Sequence, residues 1–325
     1  MLLACCMQWV VRTLLEEGFS VRGAVRSATK GTHLVEQFAA YGDKFELAIV
    51  PDIPKEGAFD EAVKNVDAIA HTASPYHFHA DDPAELLEPA IKGTISILES
   101  ARRYGTAVKR VVVTSSTAAV QYDSPNPRVF SELDWDDPAV EEVEKKGRAA
   151  SNVNKYRASK TLAERAAWDF VKTHQSTLKW DLAVLNPPLV LGPIIHAVSS
   201  PAELNTSARQ MYEAFTKPGA AGTGGGCWVD VRDIALAHVR ALQKQAAGGE
   251  RIIVAAGAFK WQDWLDAAPV SSKSTYQRGT PGAGKDAVHP VRHDTRKSIR
   301  ILGMEYRSMA ETAAAVLDDY ERREW

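Results

Sequence analysis

The first two-thirds of the chain alternates short runs of β-branched residues with longer amphipathic ones, and this alternation restricts the fold more than any other feature. Strand, helix, strand in repetition is the pattern of a parallel sheet covered by helices. The spacing of Val10, Val11, Leu14 and Leu15 predicts a helix that Gly18 closes. Strands are expected at residues 19–25, 45–50, 66–71, 109–115, 181–186 and 252–255. Helices are expected at 31–41, 59–65, 83–104, 155–174, 207–216 and 308–323, with one more leading from WVDVRD through Gln243. The three consecutive valines of KRVVVTS suit a strand covered on both faces. After Pro193 the alternation loosens, and residues 269–293 read as irregular. The fold expected is a doubly wound α/β parallel sheet with a smaller C-terminal lobe. Residues 1–192 are expected to form the main domain, with parts of 226–256 completing its sheet and 193–325 mainly forming the smaller lobe.

Bulk chemistry excludes several functions. A net charge of −2 over 325 residues argues against a nucleic-acid or anionic-membrane binder, which carries a basic excess. Cys5, Cys6 and Cys227 cannot build a disulfide framework, and adjacent Cys5 and Cys6 lack C-x-x-C spacing, so a reduced, cytoplasmic setting is expected. The apolar opening is interrupted by Gln8 and Arg12 and is too short to span a membrane.

Chemistry is concentrated in two stretches. In KYRASK, Tyr156 and Lys160 lie four apart on an expected helix and share a face. A free phenol has a pKa near 10, and an adjacent ammonium favours its phenolate. Such a pair can move a proton near neutral pH and grip a ribose hydroxyl. A surface Tyr/Lys pair is the plain alternative. VVVTSS puts Ser115 and Ser116 at the end of a buried strand, where doubly wound sheets bind ligands. A serine there can donate to a carbonyl oxygen as charge develops; a turn or cap serine is the alternative. No zinc-ligand spacing and no G-x-S-x-G occurs. His71, His77 and His79 fall on a strand end and a loop, and no metal site is expected.

VRGAVRSATK, VPDI, AIAHTASPYHF, AIKGT, RVVVTSSTAAV, YRASKTLAERAAWDF, NPPLVLGP, CWVDVRDIALAH and LGMEYRS together give a resemblance. The chain resembles the extended short-chain dehydrogenases/reductases, specifically the dihydroflavonol-4-reductase-like group with its fungal aldehyde, methylglyoxal and ketone reductases. The resemblance runs from about residue 9 to the C-terminus. It implies a Rossmann-type fold, NADP(H) as cofactor, a small-molecule carbonyl substrate and a monomer or homodimer. It also implies Ser116 as carbonyl-polarising group, with Ser115 as alternative, Tyr156 as proton donor, and Lys160 tuning it and holding the nicotinamide ribose. Arg26 and Lys30 would bind the adenosine 2′-phosphate, and Asp52 and Ile53 would flank the adenine. Thr72, Ala73, Ser74, Pro187, Pro188, Leu189 and Val190 would line the cofactor, with Ser207 a weaker match in a following loop. Substrate contacts are expected from residues 76–79, Tyr122 and residues 211–215.

The opening departs from this pattern. The group begins with a buried strand and a Gly-x-x-Gly-x-x-Gly turn, yet the first glycine here is Gly18. With the helix end anchored on LLEEG, residues 1–7 occupy the place of the last turn glycines, and the first strand is expected to be absent or rudimentary. Side chains at turn positions block positive φ and the approach of backbone N–H groups to a pyrophosphate. GTGGGC at 222–227 has no strand leading into it and reads as a flexible loop. The function expected is NADPH-dependent reduction of an aldehyde or ketone to an alcohol, in secondary metabolism. The alternatives are an impaired relative that binds cofactor poorly and a nucleotide-sugar epimerase or dehydratase.

Overall fold

The computed structural model describes residues 4–73, 80–220, 224–269 and 276–325. In α1 (Ala4–Glu16) the spacing noted above turns Val10, Val11, Leu14 and Leu15 into the interior, and Gly18 ends the helix at φ +88°. The chain then forms β1 (Val21–Val25), α2 (Ala28–Gln37) and β2 (Phe45–Ile49), with β1 and β2 parallel. It continues through β3 (Ala68–His71), α3 (Ala84–Tyr104) and β4 (Arg110–Thr114), then β5 (Arg128–Phe130), α4 (Asp137–Lys146), α5 (Asn152–His174) and β6 (Asp181–Asn186). The remaining elements are β7 (Leu189–Leu191), α6 (Thr206–Thr216), β8 (Gly225–Asp230), α7 (Val231–Gln243), β9 (Arg251–Ile253), β10 (Gly257–Lys260), α8 (Trp261–Ala267), β11 (Val291–His293), α9 (Arg296–Leu302) and α10 (Met309–Arg322).

The main parallel sheet runs β3-β4-β6-β9. In β4, Val112 packs to one face with Val10, Leu14, Ile234 and Ala235 of α1 and α7. Its neighbours Val111 and Val113 pack to the other face with Ile97, Leu98, Ala167 and Phe170 of α3 and α5. Alternation along one strand thus reaches two helical layers, and the sheet is doubly wound. The pair β1-β2 is a separate sheet. Among the described residues no strand bonds to the second edge of β1 or of β3. Val21 of β1 and Ala70 of β3 pack against the same core, yet both are half-buried, whereas every residue of β4 is buried. The discontinuity falls where the first strand of the sheet was expected.

A second core gathers Trp228, Phe259, Trp264, Phe215 and Tyr320 around the small sheet β10-β8-β7. β11 pairs in parallel with β5. Several expectations are corrected. Residues 59–65 form successive turns rather than a helix, with Gly57 at φ +73° before them and Asn65, the last of them, at φ +58°. The helix expected at 31–41 begins at Ala28, because the Ser27 hydroxyl accepts from Lys30 N. Of GTGGGC, Gly222 and Thr223 lie outside the described residues, while Gly225–Cys227 belong to β8 rather than to a loop. A Cβ on Gly225 would meet the Phe259 carbonyl oxygen at 2.1 Å, so close pairing with β10 requires this glycine.

Candidate active site

The C-terminal ends of the parallel strands form one row. β4 ends at Thr114, after which Ser115 N donates to Leu185 O at 2.8 Å. Ser116 is extended (φ −161°, ψ 155°) and caps a short turn over 117–119, its Oγ accepting from Ala118 N at 3.1 Å. Thr117 N donates to Pro187 O at 2.9 Å, tying this turn to the end of β6. The two serines differ in what they can do. Ser115 is buried and gives its hydroxyl proton to Glu164 Oε2 at 2.5 Å. Ser116 is half-buried, and among the described residues its hydroxyl donates only over a long 3.5 Å to Pro187 O. Of the two, Ser116 has the more weakly engaged hydroxyl proton.

The helix α5 starts where the Ser151 hydroxyl accepts from Asn154 N at 3.1 Å, with Glu142 accepting from Ser151 N at 3.0 Å. This sets Tyr156 just inside the helix, where it packs on Ala80, Leu86 and Ala118, two residues from Ser116. One turn later the Lys160 Nζ lies 5.7 Å from the centre of the Tyr156 ring. Lys160 is 6% exposed, and burial lowers its amine to about 8. His71, at the end of β3, is lowered to about 4, chiefly by burial and further by the Lys160 ammonium, and its Nε2 has no hydrogen-bond partner among the described residues. The structure thus brings Tyr156, Lys160 and the Ser116 turn together.

Arg26 follows β1, and Lys30 stands in the first turn of α2. Both are exposed, and neither has an acidic partner among the described residues. Asp52 is exposed beyond β2; Ile53 is half-buried and packs toward α3, where a Cβ on Gly93 would come within 3.1 Å of it. Thr72 is buried and Ala73 half-buried beyond β3. Pro187 is buried after β6, and Pro188, Leu189 and Val190 are half-buried as the chain enters β7. These residues share the strand-end row. Ser74 and residues 76–79 lie outside the described residues, His77 and His79 among them. A phosphorylated dinucleotide along this row would find free cations at the end of β1. Its pyrophosphate end would lie where, among the described residues, the sheet is open between β1 and β3.

Other expectations shift. Ser207 belongs to α6 rather than to a loop, and its hydroxyl accepts from Asn205 Nδ2 at 3.1 Å. Met211 and Phe215 are core, because residues 211, 214 and 215 form the inner face of α6. Tyr122 packs edge-on to Phe130 at 5.1 Å, and its hydroxyl accepts from Arg128. Sequence reasoning missed Lys155, whose buried ammonium donates to Ala80 O, Asp81 O and Arg148 O at 2.8–3.0 Å. It also missed Glu164, although a carboxylate eight residues after Tyr156, on the same helix face, was a readable signal. Among the described residues no cluster of three or more His, Cys, Asp or Glu is placed to hold a metal, and no helix is long and apolar enough to cross a membrane.

Comparison with known proteins adds independent findings. The profile described as the NAD dependent epimerase/dehydratase family matches residues 8–257. The chain is 36% identical to the ketoreductase azaE of Aspergillus niger, over 92% of this chain and 90% of that protein. It is 35% identical to the NADPH-dependent methylglyoxal reductase GRE2 of Saccharomyces cerevisiae, over 94% and 92% respectively. The crystal structure of yeast methylglyoxal/isovaleraldehyde reductase Gre2 complexed with NADPH superposes with a TM-score of 0.84 at 33% identity, covering 98% of this chain and 94% of that one.

Proposed function

Because the chain belongs to the NAD dependent epimerase/dehydratase family, we propose that it is an NADPH-dependent oxidoreductase that reduces an aldehyde or ketone to an alcohol. The observation that carries this reading is the buried Lys160 ammonium beside the Tyr156 ring, in the same row as the Ser116 hydroxyl. NADPH, when bound, supplies the hydride that the carbonyl carbon accepts. Ser116 Oγ–H donates to the carbonyl oxygen as negative charge develops there. Tyr156 gives that oxygen its phenolic proton, and the Lys160 ammonium stabilises the phenolate left behind. Tyr156 and Lys160 would also hold the nicotinamide ribose, and Arg26 and Lys30 the 2′-phosphate. Asp52, Ile53, Thr72, Ala73, Ser74 and Pro187–Val190 would line the rest, with Ser207 at the margin.

Residues 1–192 would serve mainly the cofactor and 193–325 mainly the substrate. Three cysteines without a disulfide framework support a reducing, cytoplasmic setting, the resemblance to this reductase group supports a monomer or homodimer, and a place in secondary metabolism suits the relation to a ketoreductase. Purified protein with NADPH should consume cofactor with aldehydes or ketones; turnover of nucleotide sugars alone would overturn the assignment. The opening between β1 and β3 favours a second reading, a chain with its proton-transfer groups in place that binds NADPH weakly. Fluorescence titration separates the two by the dissociation constant.

A further inference from the structure

Glu164 carries a carboxylate into the interior, where the side chain is fully inaccessible. A buried charge is costly unless each oxygen is partnered. Oε2 accepts from Ser115 Oγ at 2.5 Å and from Asn186 Nδ2 at 2.7 Å, and Oε1 accepts from Arg251 Nε at 2.5 Å. These partners converge on the Ser116 turn. Asn186 Nδ2 also donates to Ser116 O at 3.1 Å. Arg251 Nη2 donates to Ala119 O at 2.9 Å, at the far end of the same turn, and its guanidinium lies over the Trp135 ring at 3.7 Å. Ser116 is therefore gripped through the residue before it, through its own carbonyl and through the close of its turn. All three grips lead to one carboxylate.

That carboxylate sits on α5 at the third step of a series: Tyr156, Lys160 and Glu164 are four residues apart and share one helix face. Two steps hold the proton donor and its tuning ammonium; the third holds the strand end that bears the carbonyl-polarising hydroxyl. We propose that Glu164 is a positioning residue for carbonyl reduction, fixing the Ser116 hydroxyl relative to Tyr156 and Lys160 through Ser115, Asn186 and Arg251. This rests on the reading of Ser116 given above. Glu164 touches neither substrate nor cofactor and acts only through that turn.

A double-mutant cycle tests it, with kcat for an aldehyde and the NADPH dissociation constant as readouts. Ser116→Ala is expected to lower kcat about 100-fold. Glu164→Gln, which keeps one acceptor oxygen but leaves Arg251 without its counter-charge, is expected to lower kcat about tenfold while the NADPH dissociation constant stays within about twofold. In the Ser116→Ala background Glu164→Gln should change kcat by less than about twofold, because its effect runs through the missing hydroxyl. Ser115→Ala removes a single hydrogen bond and should fold even where Glu164→Gln does not. It is expected to lower kcat about threefold, with the same loss of effect once Ser116 is alanine. Full multiplication of the Glu164 or Ser115 effect with that of Ser116, or unchanged kcat in both single variants, overturns the positioning role. Unchanged kcat in Ser116→Ala alone would instead remove Ser116 from the mechanism, a separate and recognisable failure.

Discussion

Burial of Lys160 sets activity and stability against each other as pH rises. Its amine is lowered from 10.5 to about 8 by desolvation. A difference of about 2.5 pKa units is worth about 3 kcal/mol between its charged and neutral forms. In the proposed mechanism Tyr156 needs the charged form beside it, so kcat/KM for reduction should be level below about pH 7 and fall through about pH 8, by about tenfold per unit beyond. Stability moves the opposite way. Between about pH 8 and 10.5 the unfolded chain holds the Lys160 proton and the native chain does not, so this group's contribution to stability rises with pH. Below about pH 8 the buried ammonium costs its full about 3 kcal/mol. Lys160→Met keeps most of the side-chain volume and carries no charge. It should raise the urea midpoint at pH 7, lose that advantage as pH approaches about 10.5, and abolish the pH 8 inflection together with most of the activity. The pair of measurements is decisive: kcat/KM against pH, and the wild-type minus variant difference in unfolding free energy against pH. A level kcat/KM between pH 7 and 9.5, or a variant less stable than wild type at pH 7, would refute the reasoning.

Other predictions follow from single positions. Arg26→Glu should weaken NADPH by about 30-fold while leaving NADH within about threefold, since a guanidinium bonded to the 2′-phosphate is worth about 2 kcal/mol; equal losses for both cofactors in a fluorescence titration would place the phosphate elsewhere. Gly192 has φ +140°, and a Cβ there would approach Val231 Cγ1 to 2.8 Å. Gly192→Ala should therefore lower unfolding free energy by about 2 kcal/mol in urea titration, and an unchanged midpoint would contradict it.

How much was legible in the sequence depended on how local each signal was. The cores of α3, β4, α5 and β6 were readable because valine runs and long amphipathic periods leave few alternatives. α4 was overlooked because DPAVEEVEKK buries only Ala139, Val140 and Val143 on an otherwise charged surface. β5 and β11 have three residues each and pair across a long stretch of chain, so no local pattern announces them. The site divides the same way. Tyr156 and Lys160 are one helical turn apart and could be paired from spacing alone. The resemblance favoured Ser116 over Ser115, but the physical difference between them, the Ser115 hydrogen bond to Glu164 forty-nine residues away, has no local signal. Glu164 and Arg251 look like surface charges in one dimension and become a buried pair only when α5 docks against β9. The aromatic and methionine positions of α6 had a regular spacing that served core and substrate readings equally, and packing chose the core.

The central claim is that Tyr156 donates the proton in carbonyl reduction. Tyr156→Phe removes the phenolic hydroxyl and keeps the ring that packs on Ala80 and Leu86. Its kcat for an NADPH-dependent aldehyde reduction should fall by about 1,000-fold or more, with the NADPH dissociation constant within about threefold of wild type. Unchanged turnover in that variant would contradict the account.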